Sequence, residues 1–218
     1  MSLSKTLEEI QNMLIKKDGV RQAIQTSLRK ATRLSKQAIF LIHKSNLDEA
    51  EKKLTEAKTT FSEAINLSKD NPELIYSGLA DTAFEEYAEA NIILLLVREQ
   101  RFSGPEEIGV PPIPYLLGLA DVIGELRRRA LDFLRGGETK KAEECLELME
   151  TIYMELVNLD EAQSLVPGLR RKCDVARRIV EATRGDVTIE VRRSSLEDSI
   201  HELEERLEAK RDGGTPKT

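Results

Sequence analysis

The chain has 218 residues, a net charge of −6, 40% hydrophobic residues and 33% charged residues. This length predicts one domain, or one domain with a tail, and the composition is typical of long helices. No apolar run reaches eighteen residues, which argues against a transmembrane helix, and the N-terminus does not resemble a signal peptide. Two cysteines, Cys145 and Cys173, do not make a disulfide framework, so we expect buried thiols in a cytoplasmic protein.

Apolar residues recur at helical spacing along most of the chain, which predicts an all-α antiparallel bundle of six to seven helices. The expected helices span residues 3–45, 47–68, 72–102, 114–135, 138–163 and 168–184. Gly185 is expected to end the sixth helix, Asn46 to cap the second, and the Pro- and Gly-rich residues 103–113 to form a loop. We expect a helical domain over residues 1–185, a C-terminal helical extension over 186–211 and a disordered tail over 212–218.

The C-terminal extension starts ambiguously. Residues Val187 to Val191 alternate in polarity and could form a strand, but no second strand is available to pair with them, so we assign them to helix. Beyond them, Leu196, Ile200, Leu203 and Leu207 follow a heptad-like spacing. Their own helix cannot bury that stripe, so it is expected to pack on the bundle or on a neighbouring subunit.

Four carboxylates lie within two apolar helical runs. Glu86 and Glu89 are three residues apart, and Asp121 and Glu125 are four apart, so each pair shares one side of its helix. Burying a charge requires a partner, and a hard divalent cation, Mg²⁺ or Mn²⁺, suits an all-carboxylate set. Such a site would hydrolyse a phosphoester or a phosphoanhydride.

Other interpretations of these acids remain open at this point. Some of them could simply pair with Arg98, Arg127 or Arg128. A ferritin-type di-iron site is not expected, because neither His43 nor His201 belongs to a Glu-x-x-His motif. The absence of a P-loop and of a dinucleotide fingerprint argues against an organic cofactor.

The first helix is locally basic within an acidic protein. Between Lys16 and Lys44 the chain has eight basic residues and one acidic residue, and Arg29, Arg33 and Lys36 form a ridge at helical spacing. This ridge is either a solvated face or a phosphate-binding surface. The shortage of balancing acids favours the second interpretation, because solvated helix faces usually mix both signs.

All-α nucleoside triphosphate pyrophosphatases are one enzyme class to consider. Glu85, Glu86 and Glu89 match the first half of their Glu-Glu-x-x-Glu and Glu-x-x-Asp motif pair. The second half departs from it, because this chain has Asp121-x-x-x-Glu125.

Three blocks of the sequence resemble the translin superfamily. They are Leu34–Lys44 (LSKQAIFLIHK), Glu86–Ala90 (EYAEA) and Tyr115–Arg128 (YLLGLADVIGELRR). The second block is similar to Glu-Tyr-x-Glu-Ala of translin-associated factor X (TRAX), and the third is the most specific. The resemblance covers roughly residues 10 to 185. Pro114 departs from the family pattern, since an acidic residue usually precedes the tyrosine there.

The resemblance implies a Mg²⁺-dependent endoribonuclease, because the nuclease branch keeps the acids that the non-catalytic translin branch lacks. Glu86, Glu89, Asp121 and Glu125 would then be the metal-binding catalytic residues. The family also implies a hollow homo-octamer that encloses RNA. Residues expected to contact the RNA are Arg21, Arg29, Lys30, Arg33 and Lys36 at phosphates, and Arg128 at the scissile phosphate or against a carboxylate. A non-catalytic RNA- or DNA-binding shell is the alternative.

Overall fold

The structure, a computed structural model, describes residues 2–75 and 78–212. Within these ranges the chain forms seven α-helices, two short 3₁₀ turns and no β-strand, which confirms the all-α prediction. The helices are α1 (Leu3–His43), α2 (Leu47–Leu67), α3 (Gly78–Glu99), α4 (Pro105–Ile108), α5 (Pro112–Arg135), α6 (Thr139–Val157) and α7 (Leu169–Asp212). None of these helices combines the length and the apolarity needed to cross a membrane.

Helix α1 is a single helix of 41 residues, as its periodicity predicts. The Ser2 hydroxyl caps it by accepting a hydrogen bond from the Lys5 amide at 3.4 Å. Only its second half is buried: Ile24 and Leu28 lie in the core, whereas Ile10 and Leu14, which belong to the same predicted stripe, are exposed. The apolar pattern therefore identified the helix correctly but not the part of it that packs.

Two elements before α5 differ from the predictions, and one predicted helix cap lacks its hydrogen bond. The helix expected from residue 72 onward is a 3₁₀ turn at Pro72–Leu74 followed by α3, with residues 76–77 outside the described ranges. The expected loop contains the four-residue helix α4, which ends at Gly109 in a left-handed conformation (φ 84°). Asn46 stands at the N-cap of α2, as predicted, but its side chain makes no capping hydrogen bond.

The C-terminal half of the chain departs further from the prediction. Helix α6 ends at Val157 and is followed by a 3₁₀ turn at Asp160–Leu165. The predicted helix end at Gly185 is wrong, because α7 continues through this residue. A glycine inside a helix costs only about 1 kcal/mol, and the buried Thr183 and Val187 anchor the helix on both sides of it. The helical assignment of residues 187–191 is confirmed; the predicted disordered tail lies, from residue 213 onward, outside the described residues.

The described chain divides into two compact units. The first comprises the chain up to Val122 together with Leu159–Lys172. Its core lies where α1, α2 and α3 pack together. In it the Phe61 ring stacks on Phe84, with centroids 4.8 Å apart, and meets Tyr87 edge to face at 5.2 Å.

The second unit comprises Ile123–Asn158 and the chain from Cys173 onward. Ala130, Ala142, Cys145 and Val187 form a buried cluster in it, with partly buried Phe133, Leu134, Leu146 and Val191 packed around them. Helices α5 and α7 each contribute residues to both units. The division into units therefore does not coincide with the domain boundary predicted at residue 185, and that boundary stays a prediction.

Candidate functional site

Helices α3 and α5 approach each other closely within the first unit, at Gly118. A Cβ atom at this position would lie 2.6 Å from the backbone oxygen of Glu85 and 3.0 Å from the backbone nitrogen of Glu89. No side chain can occupy that space, so glycine is required for the helices to pack at this distance. The contact aligns the acidic stretch of α3 with Asp121, which lies one turn further along α5.

Lys172, at the start of α7, holds two of these acids together. Its Nζ atom lies 2.6 Å from Glu85 Oε1 and 2.6 Å from both carboxylate oxygens of Asp121. All three side chains are at least partly buried, so the ammonium group is the partner that the carboxylates require. The sequence did not indicate this contact, because Lys172 lies 51 residues beyond Asp121 and 87 beyond Glu85.

The protonation of this triad follows from burial and charge. Burial raises the pKa of the Glu85 carboxyl; Lys172 opposes the rise and Asp121 adds to it. Burial by itself would lower the pKa of Lys172, but hydrogen bonds to Asp121 and Glu85 outweigh this effect, so its pKa is raised above the ordinary value of 10.5. The ammonium group therefore stays charged at neutral pH.

The other two α3 acids face α1. Lys36 Nζ lies 3.0 Å from Glu86 Oε1, and the hydrogen bond to Glu86, with a smaller contribution from the charge of Glu89, raises the pKa of Lys36. Glu89 is a buried carboxylate, only 8% exposed. We call Glu85, Glu86, Glu89 and Asp121 the carboxylate cluster; all four belong to the first unit.

The fourth predicted ligand, Glu125, belongs to the second unit. There, Arg128 Nη1 lies 3.9 Å from its Oε2, so Arg128 is placed beside a predicted catalytic carboxylate. The arginines considered as alternative partners have other contacts as well. Arg127 donates to Thr183 and Asp186, and Arg98 pairs with Asp48 and Glu51 of α2.

The chemistry of the carboxylate cluster fits a divalent cation in one respect and opposes it in another. Its donors are carboxylate oxygens, as Mg²⁺ prefers. In the portion of the chain that the structure describes, however, no three His, Cys, Asp or Glu side chains converge closely enough to hold a metal ion. Glu85, Glu86 and Asp121 each contact an ammonium group instead. A cation could bind only after Lys36 and Lys172 had released Glu86 and Asp121.

The predicted basic ridge lines an open groove of about 690 Å³ between α1 and α2. Arg29, Arg33 and Lys36 of α1 lie along it, and Lys53 of α2, which the sequence analysis did not identify, faces them. No acidic side chain among the described residues lies within ion-pair distance of Arg29 or Arg33. These guanidinium groups are therefore available to an anionic partner.

The other two α1 residues that were predicted to contact RNA have partners within the protein. Arg21 Nη2 lies 2.6 Å from Asp18 Oδ1 on the same helix, and Lys30 Nζ lies 3.1 Å from Glu56 Oε1 on α2. Of the α1 residues predicted to contact RNA, the predicted ridge residues Arg29, Arg33 and Lys36 are the ones that line the groove. We call these three residues and Lys53 the basic groove.

Phe40 adds an aromatic surface to the basic groove. Its ring lines the groove and is 53% exposed, and the ammonium group of Lys44 lies 5.7 Å from the ring centroid. An exposed aromatic ring among basic side chains suits a polyanion with planar bases, because each base has a face that can stack.

Comparison with known proteins connects this geometry to a family. The Translin family model matches residues 19–183. An uncharacterized protein of Methanocaldococcus jannaschii is 32% identical over 195 residues, which cover 88% of this chain and 86% of the relative.

Solved structures agree with this match. The structure of an AfC3PO–duplex RNA complex has a TM-score of 0.74 and 34% identity, covering 85% of this chain and 96% of the other. The crystal structure of AfC3PO has a TM-score of 0.75 and 35% identity over the same shares. Apo-NeC3PO shares the fold, with a TM-score of 0.77, 23% identity, and coverage of 87% and 100%. The chain belongs to the Translin family.

Proposed function

We propose that this protein is an RNA-binding homo-oligomer with Mg²⁺- or Mn²⁺-dependent endoribonuclease activity, of the TRAX-like type. The observation that supports this most directly is the junction of two surfaces at Lys36. This residue lines the basic groove and also contacts Glu86 of the carboxylate cluster. A phosphate bound in the groove would therefore lie beside carboxylates that can hold a divalent cation, as the proposed metal-dependent hydrolysis needs.

The basic groove supplies binding. Arg29 and Arg33 present guanidinium groups one helical turn apart, which suits contacts with successive phosphates without reading the base sequence. The related AfC3PO has been solved with duplex RNA, and RNA is the polyanion we propose for this chain. Exposed Phe40 could stack on an unpaired base at an end or a break of such a duplex.

The carboxylate cluster supplies the chemistry. By the family resemblance alone, Glu86, Glu89, Asp121 and Glu125 would be the ligands of the cation. When bound, the cation supplies charge neutralisation at the phosphate and a nucleophile at neutral pH. Lys36 and Lys172 would leave their carboxylates at that point, which frees Lys36 to contact the phosphate. Arg128, beside Glu125, would orient that carboxylate.

An isosteric substitution tests the activity. Asp121→Asn removes the charge but keeps the shape, so with Mg²⁺ present we expect RNA cleavage to fall at least about 100-fold, with RNA affinity retained. Asp132→Asn is the matched control, because Asp132 is also an α5 aspartate but pairs only with exposed Arg135 among the described residues. Equal cleavage by the two variants would contradict the proposed activity.

A non-catalytic RNA-binding protein is the second candidate, and one observation favours it. The ammonium groups of Lys36 and Lys172 already offset part of the cluster's charge. On this hypothesis the acids are structural, so RNA would bind but remain intact at any Mg²⁺ or Mn²⁺ concentration. The pyrophosphatase alternative is less favoured, because the Translin family model covers the region that carries its partial motif.

The proposed assembly is a homo-octamer that encloses the RNA, as the family resemblance implies. Light scattering with and without a short RNA duplex would give its mass, and a monomer would contradict enclosure. Both cysteines are buried free thiols, and burial raises the pKa of Cys145 to about 11. Such unreactive thiols suit a reducing compartment, and we propose the cytoplasm.

A further inference from the structure

The last part of α7 carries an apolar stripe that its own unit does not cover. Every side chain from Ser195 to Glu208 is exposed. Five large apolar residues of α7 are nonetheless at least 48% exposed and recur at spacings of three, four and seven: Ile189, Leu196, Ile200, Leu203 and Leu207. The family match ends at residue 183, so this stripe lies beyond it.

The stripe points away from the core of its unit. Val187 and Val191 pack against the buried cluster of the second unit. If the stripe occupies the a and d positions of a heptad, these two residues occupy b and f, on the opposite side of the helix. Helix α7 thus packs on its own unit with one face, and the described residues of that unit leave the other face uncovered.

We propose that this stripe pairs with the same segment of a second copy of the chain, as a parallel, in-register, two-stranded coiled coil over residues 189–207. The identity of the core residues supports two strands. Ile200 falls at an a position between Leu196 and Leu203 at d positions, and β-branched residues at a with leucine at d favour parallel dimers.

Charge complementarity supports the parallel orientation. The e positions are all glutamates (Glu190, Glu197 and Glu204), and the g positions are Arg192, Ser199 and Arg206. In a parallel pair, g faces the following e of the other helix, so Arg192 of each copy meets Glu197 of the other. An antiparallel pair would oppose e to e and g to g, which places glutamate against glutamate and arginine against arginine.

The one charged core position is compensated within its own helix. Arg193 occupies an a position, and its Nε donates to Glu197 Oε1 at 3.1 Å. A single basic residue at an a position is compatible with a dimer and helps to fix its register, at some cost in stability. The segment is under three heptads long, which is short for an isolated coiled coil, so we expect it to pair only in the full-length protein.

The exposed apolar stripe at the start of α1 is the other segment to consider as a partner for the α7 stripe. Leu3, Leu7, Ile10 and Leu14 are also exposed at heptad spacing, but their flanking e and g positions are uncharged (Ser4, Thr6, Gln11 and Met13). They offer the Glu and Arg positions of α7 no complementary charge. A second α7 segment therefore matches both the core residues and the flanking charges better.

Cysteine cross-linking of the full-length chain tests the orientation. Leu196→Cys and Leu207→Cys, made separately, should each give a disulfide-linked dimer, because each a or d residue of a parallel in-register pair faces the same residue of the other copy. The two positions are about 16 Å apart along the helix, so an antiparallel pair cannot link both. Asp198→Cys, at the outward f position, should give about ten-fold less dimer, since a disulfide requires Cα atoms within about 7 Å.

Two further variants complete the test. Arg192→Glu in the Leu196→Cys background should reduce cross-linking, and adding Glu197→Arg should restore it. The unmodified chain, with both native cysteines buried, gives the background. Cross-linking at only one of the two positions, no excess over Asp198→Cys, or preferential linkage to a Leu7→Cys chain would overturn the proposal. These readouts do not depend on nuclease activity.

Discussion

The carboxylate cluster and the basic groove are two charged regions of the same unit, built in opposite ways. The groove is exposed, and three of its four basic residues come from α1. The cluster is largely buried, draws its acids from α3 and α5, and is compensated by lysines of α1 and α7. Exposed charges of one sign attract a partner from solution, whereas buried charges must find one within the protein.

Reversing the groove's charge should produce the largest effect on binding. We expect Arg29→Glu/Arg33→Glu to lower RNA affinity about 100-fold and to reduce the slope of log affinity against log salt by about two, because two phosphate contacts are lost. Fluorescence anisotropy at several salt concentrations measures both. Arg135→Glu, at an exposed site on α5, is the control; an equal loss there would show that only net charge matters.

Removing the partly buried cation should mainly affect stability. Lys172→Met leaves the Glu85 and Asp121 carboxylates together without an ammonium group, which we expect to destabilise the fold by about 2–3 kcal/mol at pH 7.5. Urea denaturation measures the change. Arg21→Met, which breaks an exposed pair with Asp18, should cost at most about 0.5 kcal/mol. Equal losses of stability in the two variants would show that the carboxylate cluster depends on its cation no more than an exposed carboxylate does.

The same variant predicts a pH dependence. Glu85 has a raised pKa in the folded protein, so its ionisation costs stability as the pH rises through that value. Without the opposing Lys172 its pKa should rise further, and the destabilisation by Lys172→Met should be smaller at pH 5 than at pH 7.5. In the unmodified protein the contribution of Lys172 should persist until the pH passes its own raised pKa, above 10.5. A cost that does not vary between pH 5 and 7.5 would contradict this account.

The close contact between α3 and α5 at Gly118 should be sensitive to the addition of a single methyl group. Gly118→Ala brings a Cβ to 2.6 Å from a backbone oxygen, so we expect a loss of about 1–2 kcal/mol. Gly124→Ala, on the same helix with no neighbour within 4 Å, should instead stabilise the protein by about 0.5 kcal/mol. Changes of opposite sign in the free energy of unfolding, measured by urea denaturation, would locate the constraint at the α3–α5 contact. A loss of stability in both variants would contradict this location.

Lys36, which belongs to both regions, should show the smallest effect. Its side chain is 61% exposed, so Lys36→Gln should change stability by at most about 0.5 kcal/mol. It should lower RNA affinity only about three-fold, because a single phosphate contact is lost. Lys30→Gln, whose partner is Glu56 rather than the carboxylate cluster, is the control. A 100-fold loss for Lys36→Gln would show that the groove depends on this residue alone.

Local patterns in the sequence were sufficient for much of the fold and for the groove. Helix α1 and its basic ridge follow from periodicity within one element. Residues 187–191 are predicted to be helical only because no partner strand is available, and the structure agrees with each of these predictions. The prediction that failed depends on packing rather than on a local pattern. Gly185 was expected to end a helix because glycine often does, but burial of Thr183 and Val187 outweighs its low helix propensity.

For the carboxylate cluster, too, one part could be predicted from the sequence and the other part depends on the tertiary structure. The sequence by itself determined which acids share a helix face, since that follows from a repeat of 3.6 residues. Only the tertiary structure decided what compensates them: Lys172 reaches Asp121 and Glu85 across 51 and 87 residues, and Gly118 sets how closely the two helices approach. A charge's partner is fixed by distance in space, and helical periodicity contains no information about residues that lie on other helices.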